Sequence, residues 1–126
     1  MFRKSFFSIA CGTGVLLAVA GCSETQTVSF KRDVAPILNR YCAECHTGNG
    51  EGFEKSGFEV GSYDAVMKGT KFGPVIVAGD PTSSSLYRLI TGQVDKSIRM
   101  PHGKEGLAQE ETKVFRSWIE QGAKNN

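Results

Sequence analysis

Cysteine and histidine are scarce in this chain, and neither sign of charge is in large surplus. Four cysteines, at 11, 22, 42 and 45, and two histidines, at 46 and 102, stand in 126 residues. The formal net charge is +2, and from Cys22 onward 13 Lys and Arg meet 13 Asp and Glu. No basic patch argues for nucleic acid, and no acidic run makes a tail. There is no internal repeat and no low-complexity segment. The mostly apolar stretch Phe6 to Ala20 is shorter than the roughly 20 residues a membrane-spanning helix needs. What is present describes a folded chain. Hydrophobic residues make up 40% and charged residues 22%, which excludes a disordered polypeptide. The length suits one domain, and fifteen glycines point to a loop-rich one.

The first 21 residues read as an export signal. Arg3 and Lys4 form a positive n-region, and Phe6 to Ala20 an uncharged apolar core. The following stretch, Leu17-Ala18-Val19-Ala20-Gly21-Cys22, resembles a bacterial lipobox. That resemblance implies cleavage before Cys22 and lipidation of its sulfur and its new amine. Several acyl chains anchor stably where one alone is marginal. Ser23 after the cysteine leans toward an outer-membrane address facing the periplasm. The competing reading is an uncleaved anchor helix with an incidental cysteine. Residues 22–29 then read as the lipidated cysteine and a polar tether, and residues 30–126 as the domain.

With Cys11 and Cys22 assigned to export, only Cys42 and Cys45 remain in the domain, so no further thiol is left for a structural disulfide. A small exported domain without a disulfide commonly needs another staple. The run Cys42-Ala43-Glu44-Cys45-His46 supplies one, because C-x-x-C-H is the spacing of a covalent c-type haem site. Two thiols one helical turn apart reach the two vinyl groups of one haem, and the adjacent histidine lies under the iron as proximal ligand. The rival readings are weaker. Zinc wants four ligands, and Cys42, Cys45, His46 and His102 would be needed together. A thioredoxin-like pair wants a βαβ context that the pattern here lacks. A single C-x-x-C-H argues against a di-haem peroxidase. For a sixth ligand the sequence offers Met67, Met100 and His102. Met67 reads as core, whereas Met100 lies in a loop before Pro101.

The periodicities predict helices. Phe30, Val34, Ile37, Leu38 and Tyr41 share one helical face over Phe30 to Tyr41, with Asp33 as cap and Pro36 in the first turn. The glycine-rich stretch 47–61 reads as a loop around the haem. Ser62 to Lys68 reads as a short helix capped by Ser62 and stopped by Gly69. The apolar stretch 72–78 reads as an extended pocket lining. Asp80-Pro81 reads as the start of a helix carrying Leu86, Leu89 and Ile90, and residues 93–106 as a second loop. The last helix is expected at about 109–121, burying Val114, Phe115, Trp118 and Ile119. The first and last helices are expected to cross, with Val34, Ile37 and Tyr41 against Phe115 and Trp118.

Taken in order, Phe30-x-x-Asp33-x-x-Pro36-Ile37-Leu38, Cys42-x-x-Cys45-His46, Gly79-Asp80-Pro81, Ser84-x-Leu86-Tyr87, Met100-Pro101 and Trp118-Ile119-x-Gln121-Gly122-Ala123 resemble a small class I-like cytochrome c domain of the planctomycete type. The resemblance implies an all-α, cytochrome c-like fold of about four short helices with long loops around one covalent haem c, added to the N-terminal signal helix. It implies Met100 as distal ligand of the iron, with His102 as rival. His102 stands where such domains often have another proline, and Ala108 where a Ser or Thr cap is usual. The expected role is a lipid-anchored mono-haem carrier of single electrons, not an enzyme. Its partners would be a redox donor and acceptor and, through Cys22, a membrane. Two other readings stay open: a sensing or catalytic haem with an open sixth position, and a non-redox accessory subunit of a membrane complex.

Overall fold

The first helix begins at Ser29. Its hydroxyl accepts from the Arg32 amide at 3.2 Å, while the Asp33 carboxylate accepts from the Ser29 amide at 2.7 Å. The pair therefore satisfies two amide donors reciprocally. Ser29, not Asp33, is the cap. The computed structural model describes residues 26–126. The expected signal peptide, Cys11 and the lipidation site at Cys22 lie outside the described residues. The segment Phe30–Val34 is wound as a π-helix and continues as α1, Ala35–Tyr41. Pro36 falls in the first turn of α1, where its missing N–H is least costly.

Four more α-helices follow: α2 Glu51–Ser56, α3 Tyr63–Lys68, α4 Ser85–Ile90 and α5 Gln109–Glu120. A single 3-10 turn, Lys96–Ile98, interrupts the loop before Met100. The described residues contain no β-strand, only an isolated Thr70–Gly73 bridge. The described residues are all-α, as expected. No helix among the described residues is long and apolar enough to cross a membrane.

Two further expectations are corrected. The glycine-rich stretch 47–61 contains α2, stopped by Gly57 at φ 72°. Asp80-Pro81 does not open α4. The Asp80 carboxylate is engaged by the Ser83 amide and hydroxyl and caps a separate turn over residues 81–83, and Ser84 occupies the N-cap position of α4. The fully buried Ser84 hydroxyl donates to the Asp80 carbonyl at 2.8 Å and accepts from the Val77 amide at 2.9 Å. It thereby ties stretch 72–78 to the start of α4. Ser62 and Gly69 bound α3 as expected, with the Ser62 hydroxyl accepting from the Ala65 amide.

The core gathers Phe30, Val34, Ile37 and Leu38 with Phe115, Trp118 and Ile119. The Phe30 ring lies 5.5 Å from Trp118 and 5.2 Å edge-on from Tyr63. At the other end, Arg40 Nη1 donates to Glu111 Oε1 at 3.0 Å. The Phe30–Val34 stretch thus packs on α5, and the Arg40–Glu111 pair links the end of α1 to the start of α5. Ala108 has no side-chain acceptor, so the Glu111 carboxylate starts α5 by accepting the Ala108 amide at 2.9 Å.

The two chain segments at the Phe30 end are bound to each other. The Val28 amide donates to Gln121 Oε1 at 2.8 Å, and Phe30 donates to Asn126 Oδ1 at 3.0 Å. Ser29 Oγ and the Lys31 amide both donate to the Asn126 carbonyl, at 2.6 and 3.1 Å. Residues 26–29, expected to be tether, are part of this seam.

Candidate haem site

The five-residue motif prolongs α1. Cys42 and Ala43 donate their amides to the Leu38 carbonyl, and Cys45 and His46 donate theirs to the Cys42 carbonyl. One turn therefore puts both thiols and the imidazole on a short arc at the end of the helix. Cys42 is half-buried and Cys45 exposed, both as free thiols. Burial, with the neighbouring Cys45, pushes the Cys42 thiol up to about 11. It is a thiol at neutral pH, the opposite of the low-pKa cysteine a thiol-disulfide catalyst needs. No three His, Cys, Asp or Glu side chains converge as a metal set among the described residues. The zinc reading required four together.

His46 is oriented by backbone. Its Nδ1 lies 3.1 Å from the Phe58 carbonyl, which only accepts, so Nδ1 carries the proton and Nε2 keeps its lone pair. That is the arrangement of a ligating histidine, in which the second nitrogen is fixed by an outer partner. The Phe58 ring meets the imidazole edge-on at 5.4 Å, and the Val60 amide donates to the His46 carbonyl. The helix α2 closes the other side. The Phe53 amide donates to the Cys45 carbonyl at 2.8 Å. A Cβ on Gly52 would stand 2.7 Å from His46 Cε1 and 2.9 Å from Nε2. Only glycine allows this approach, and a side chain there would fill the space beside Nε2.

Met100 is half-buried against the core, and its amide donates to the Leu89 carbonyl at the end of α4. Four residues on, Lys104 pairs with Glu44 inside the motif. The loop of Met100 is thus fixed at one side to α4 and at the other to the C-x-x-C-H turn. The Glu51 carboxyl is held below its usual range chiefly by Lys55 and, more weakly, by His102. The second histidine therefore stands near α2, exposed. Met67 is half-buried in α3 and packs on the core.

The donor set fits a covalent haem: two unbridged thiols, an imidazole whose Nε2 has no hydrogen-bond partner among the described residues, and a glycine beside it. Residues 42–102, from the first thiol to the second histidine, match the family described as Planctomycete cytochrome C. The chain carries a planctomycete-type cytochrome c domain. The family implies covalently attached haem c. No curated protein and no solved structure matches the chain. The family match leaves out the flanking helices of this cytochrome c domain, Phe30–Tyr41 and α5, although they carry much of its core.

Three features of the site were missed in the sequence. Phe58 acts through its carbonyl, which no side-chain pattern reveals. Gly52 was hidden together with α2, because in a stretch read as loop one more glycine marks nothing. The Lys104–Glu44 pair joins residues 60 apart, and nothing local announces it.

Proposed function

We propose that this cytochrome c domain is a lipid-anchored mono-haem carrier of single electrons between periplasmic redox partners. The observation that carries the reading is His46, with Nδ1 held by the Phe58 carbonyl, in the same turn as the free thiols Cys42 and Cys45. Cys42 and Cys45 would hold one haem, His46 would be its proximal ligand and Met100 its distal ligand. The haem supplies the one-electron chemistry. The chain fixes the imidazole, seats the Met100 loop between α4 and the motif and shields one face with core. The half-buried Met100, against the exposed His102, favours the thioether as second ligand, and Met/His ligation raises the potential. With both axial positions taken, no open position is left for a substrate. Export, lipidation at Cys22 and an outer-membrane address facing the periplasm belong to the same proposal and rest on the N-terminal sequence.

The test is the redox-difference spectrum of the purified holoprotein with that of Met100→Ala. The variant is expected to lose the low-spin Met/His spectrum and to fall in midpoint potential. If spectrum and potential hardly change, methionine ligation is wrong. Absence of covalent haem on a denaturing gel would end the whole reading.

A further inference from the structure

The seam between residues 26–31 and 118–126 restricts how the domain can sit on a membrane. Beyond the bonds already described, Gln121 Nε2 donates to the Gln26 carbonyl at 3.2 Å, and Asn126 Nδ2 to the Val28 carbonyl at 3.3 Å. The chain is therefore tied to the end of α5 from Gln26 onward. Only Ser23, Glu24 and Thr25 stand between Gln26 and Cys22. Four Cα steps reach at most about 14 Å. A domain of roughly 100 residues is about 30 Å across, judged from a radius of gyration near 13 Å. A link shorter than half the body it holds does not let that body turn freely.

Resting on the lipid-anchor reading, we infer that the seam end of the domain is a lipid-facing surface. It would lie against the headgroups around the acylated Cys22 and hold the haem-attachment end away from the membrane. The occupant is set by where the short link ends. Gln26 enters beside a groove lined by Thr27, Val28, Trp118, Gln121, Lys124 and Asn126. Charge agrees. Arg32 pairs with Asp33 and Arg116 with Glu120, while exposed Lys31 and Lys124 have no carboxylate partner among the described residues. Two free cations suit an anionic headgroup layer. The helical stretch Phe30–Tyr41 then carries the chain away from this end. At 1.5 Å per residue it covers roughly 17 Å before Cys42 begins the motif. Glu111, at the start of α5, marks the same distal end through Arg40. A soluble redox partner would meet the exposed Cys45 without approaching lipid.

The experiment is amine acetylation read by mass spectrometry. The lipidated holoprotein is compared in mixed phosphatidylethanolamine and phosphatidylglycerol vesicles and in detergent. Lys31 and Lys124 are expected to react several-fold more slowly on vesicles, while Lys104 and Lys113 at the distal end keep their rates. A second form carries a long Gly/Ser linker between Ser23 and Glu24 and is expected to lose this protection with its haem spectrum unchanged. Equal rates at both ends, or protection of Lys104 and Lys113 instead, would overturn the orientation. Protection that survives the long linker would overturn the short link as its cause. The mass of the N-terminal peptide separates these failures from that of the anchor. An unacylated Cys22 removes the anchor and this surface with it.

Discussion

The two ends of this domain are built on different principles. At the seam end, buried aromatic rings and hydrogen bonds join the beginning and end of the described chain, and Phe30, Tyr63 and Trp118 pack on one another. At the haem end, two thiols, a glycine-backed imidazole and two loops meet around polar, partly exposed residues. The seam end is held by its own side chains. The haem end has backbone contacts that orient the ligands but less apolar filling. The difference separates what the polypeptide stabilises alone from what the cofactor is expected to complete.

The largest break in the comparison comes from Trp118, fully buried with its Nε1 donating to the Lys124 carbonyl at 3.0 Å. Trp118→Ala should destabilise the holoprotein by about 3–5 kcal/mol, through lost burial and a cavity. Denaturant unfolding followed by far-UV circular dichroism checks it. The axial spectrum of whatever fraction stays folded should be unchanged.

Gly52→Ala should have an intermediate effect confined to the haem end. Helix propensity alone favours alanine by about 1 kcal/mol. A Cβ at 2.7 Å from the His46 ring outweighs that gain, since overpacking costs about 1–3 kcal/mol. The variant should show a shifted axial spectrum and faster haem-ligand exchange. Amide exchange at the seam should match the parent. A variant more stable than the parent with an unaltered spectrum would contradict the close approach.

Asp33→Ala is the smallest change and sharpens the seam end. Losing the reciprocal cap should cost about 1 kcal/mol. The Arg32 guanidinium, then the Ser29 amide, hold this carboxyl below its ordinary range. A depressed carboxyl contributes stability above its unfolded value of about 3.9 and loses it as pH falls through the folded value. The parent's advantage over the variant should therefore be full at neutral pH and fade below about pH 4. Paired urea titrations across that range test it.

The sequence was informative where one residue type has one structural use. Ser62 and Gly69 bound α3 because a hydroxyl before a helix and a glycine after it satisfy end groups that little else can. Trp118 and Phe115 were legible as core by helical period over a long element. The helix α2 was hidden because six residues with an internal glycine carry too little period. Asp80-Pro81 misled because its signal serves a turn as well as a cap, and Ser84 competed for the start. The π-winding of Phe30–Val34 leaves no trace in residue type. At the candidate site the thiols and His46 announce themselves by spacing. The Phe58 carbonyl and the Lys104–Glu44 contact are products of the finished fold.

The seam has a consequence for measuring this protein. Its side-chain bonds join residues 93 to 98 positions apart. Closing a flexible loop of that length costs about 4 kcal/mol plus a constant. Such bonds hold only while the intervening core holds, and no local fluctuation re-forms them independently. The amide protons of Val28 and Phe30, though they lie near the edge of the described residues, should therefore exchange at the rate set by whole-domain opening rather than by local fraying. Two amides at the seam would serve as a gauge of global stability.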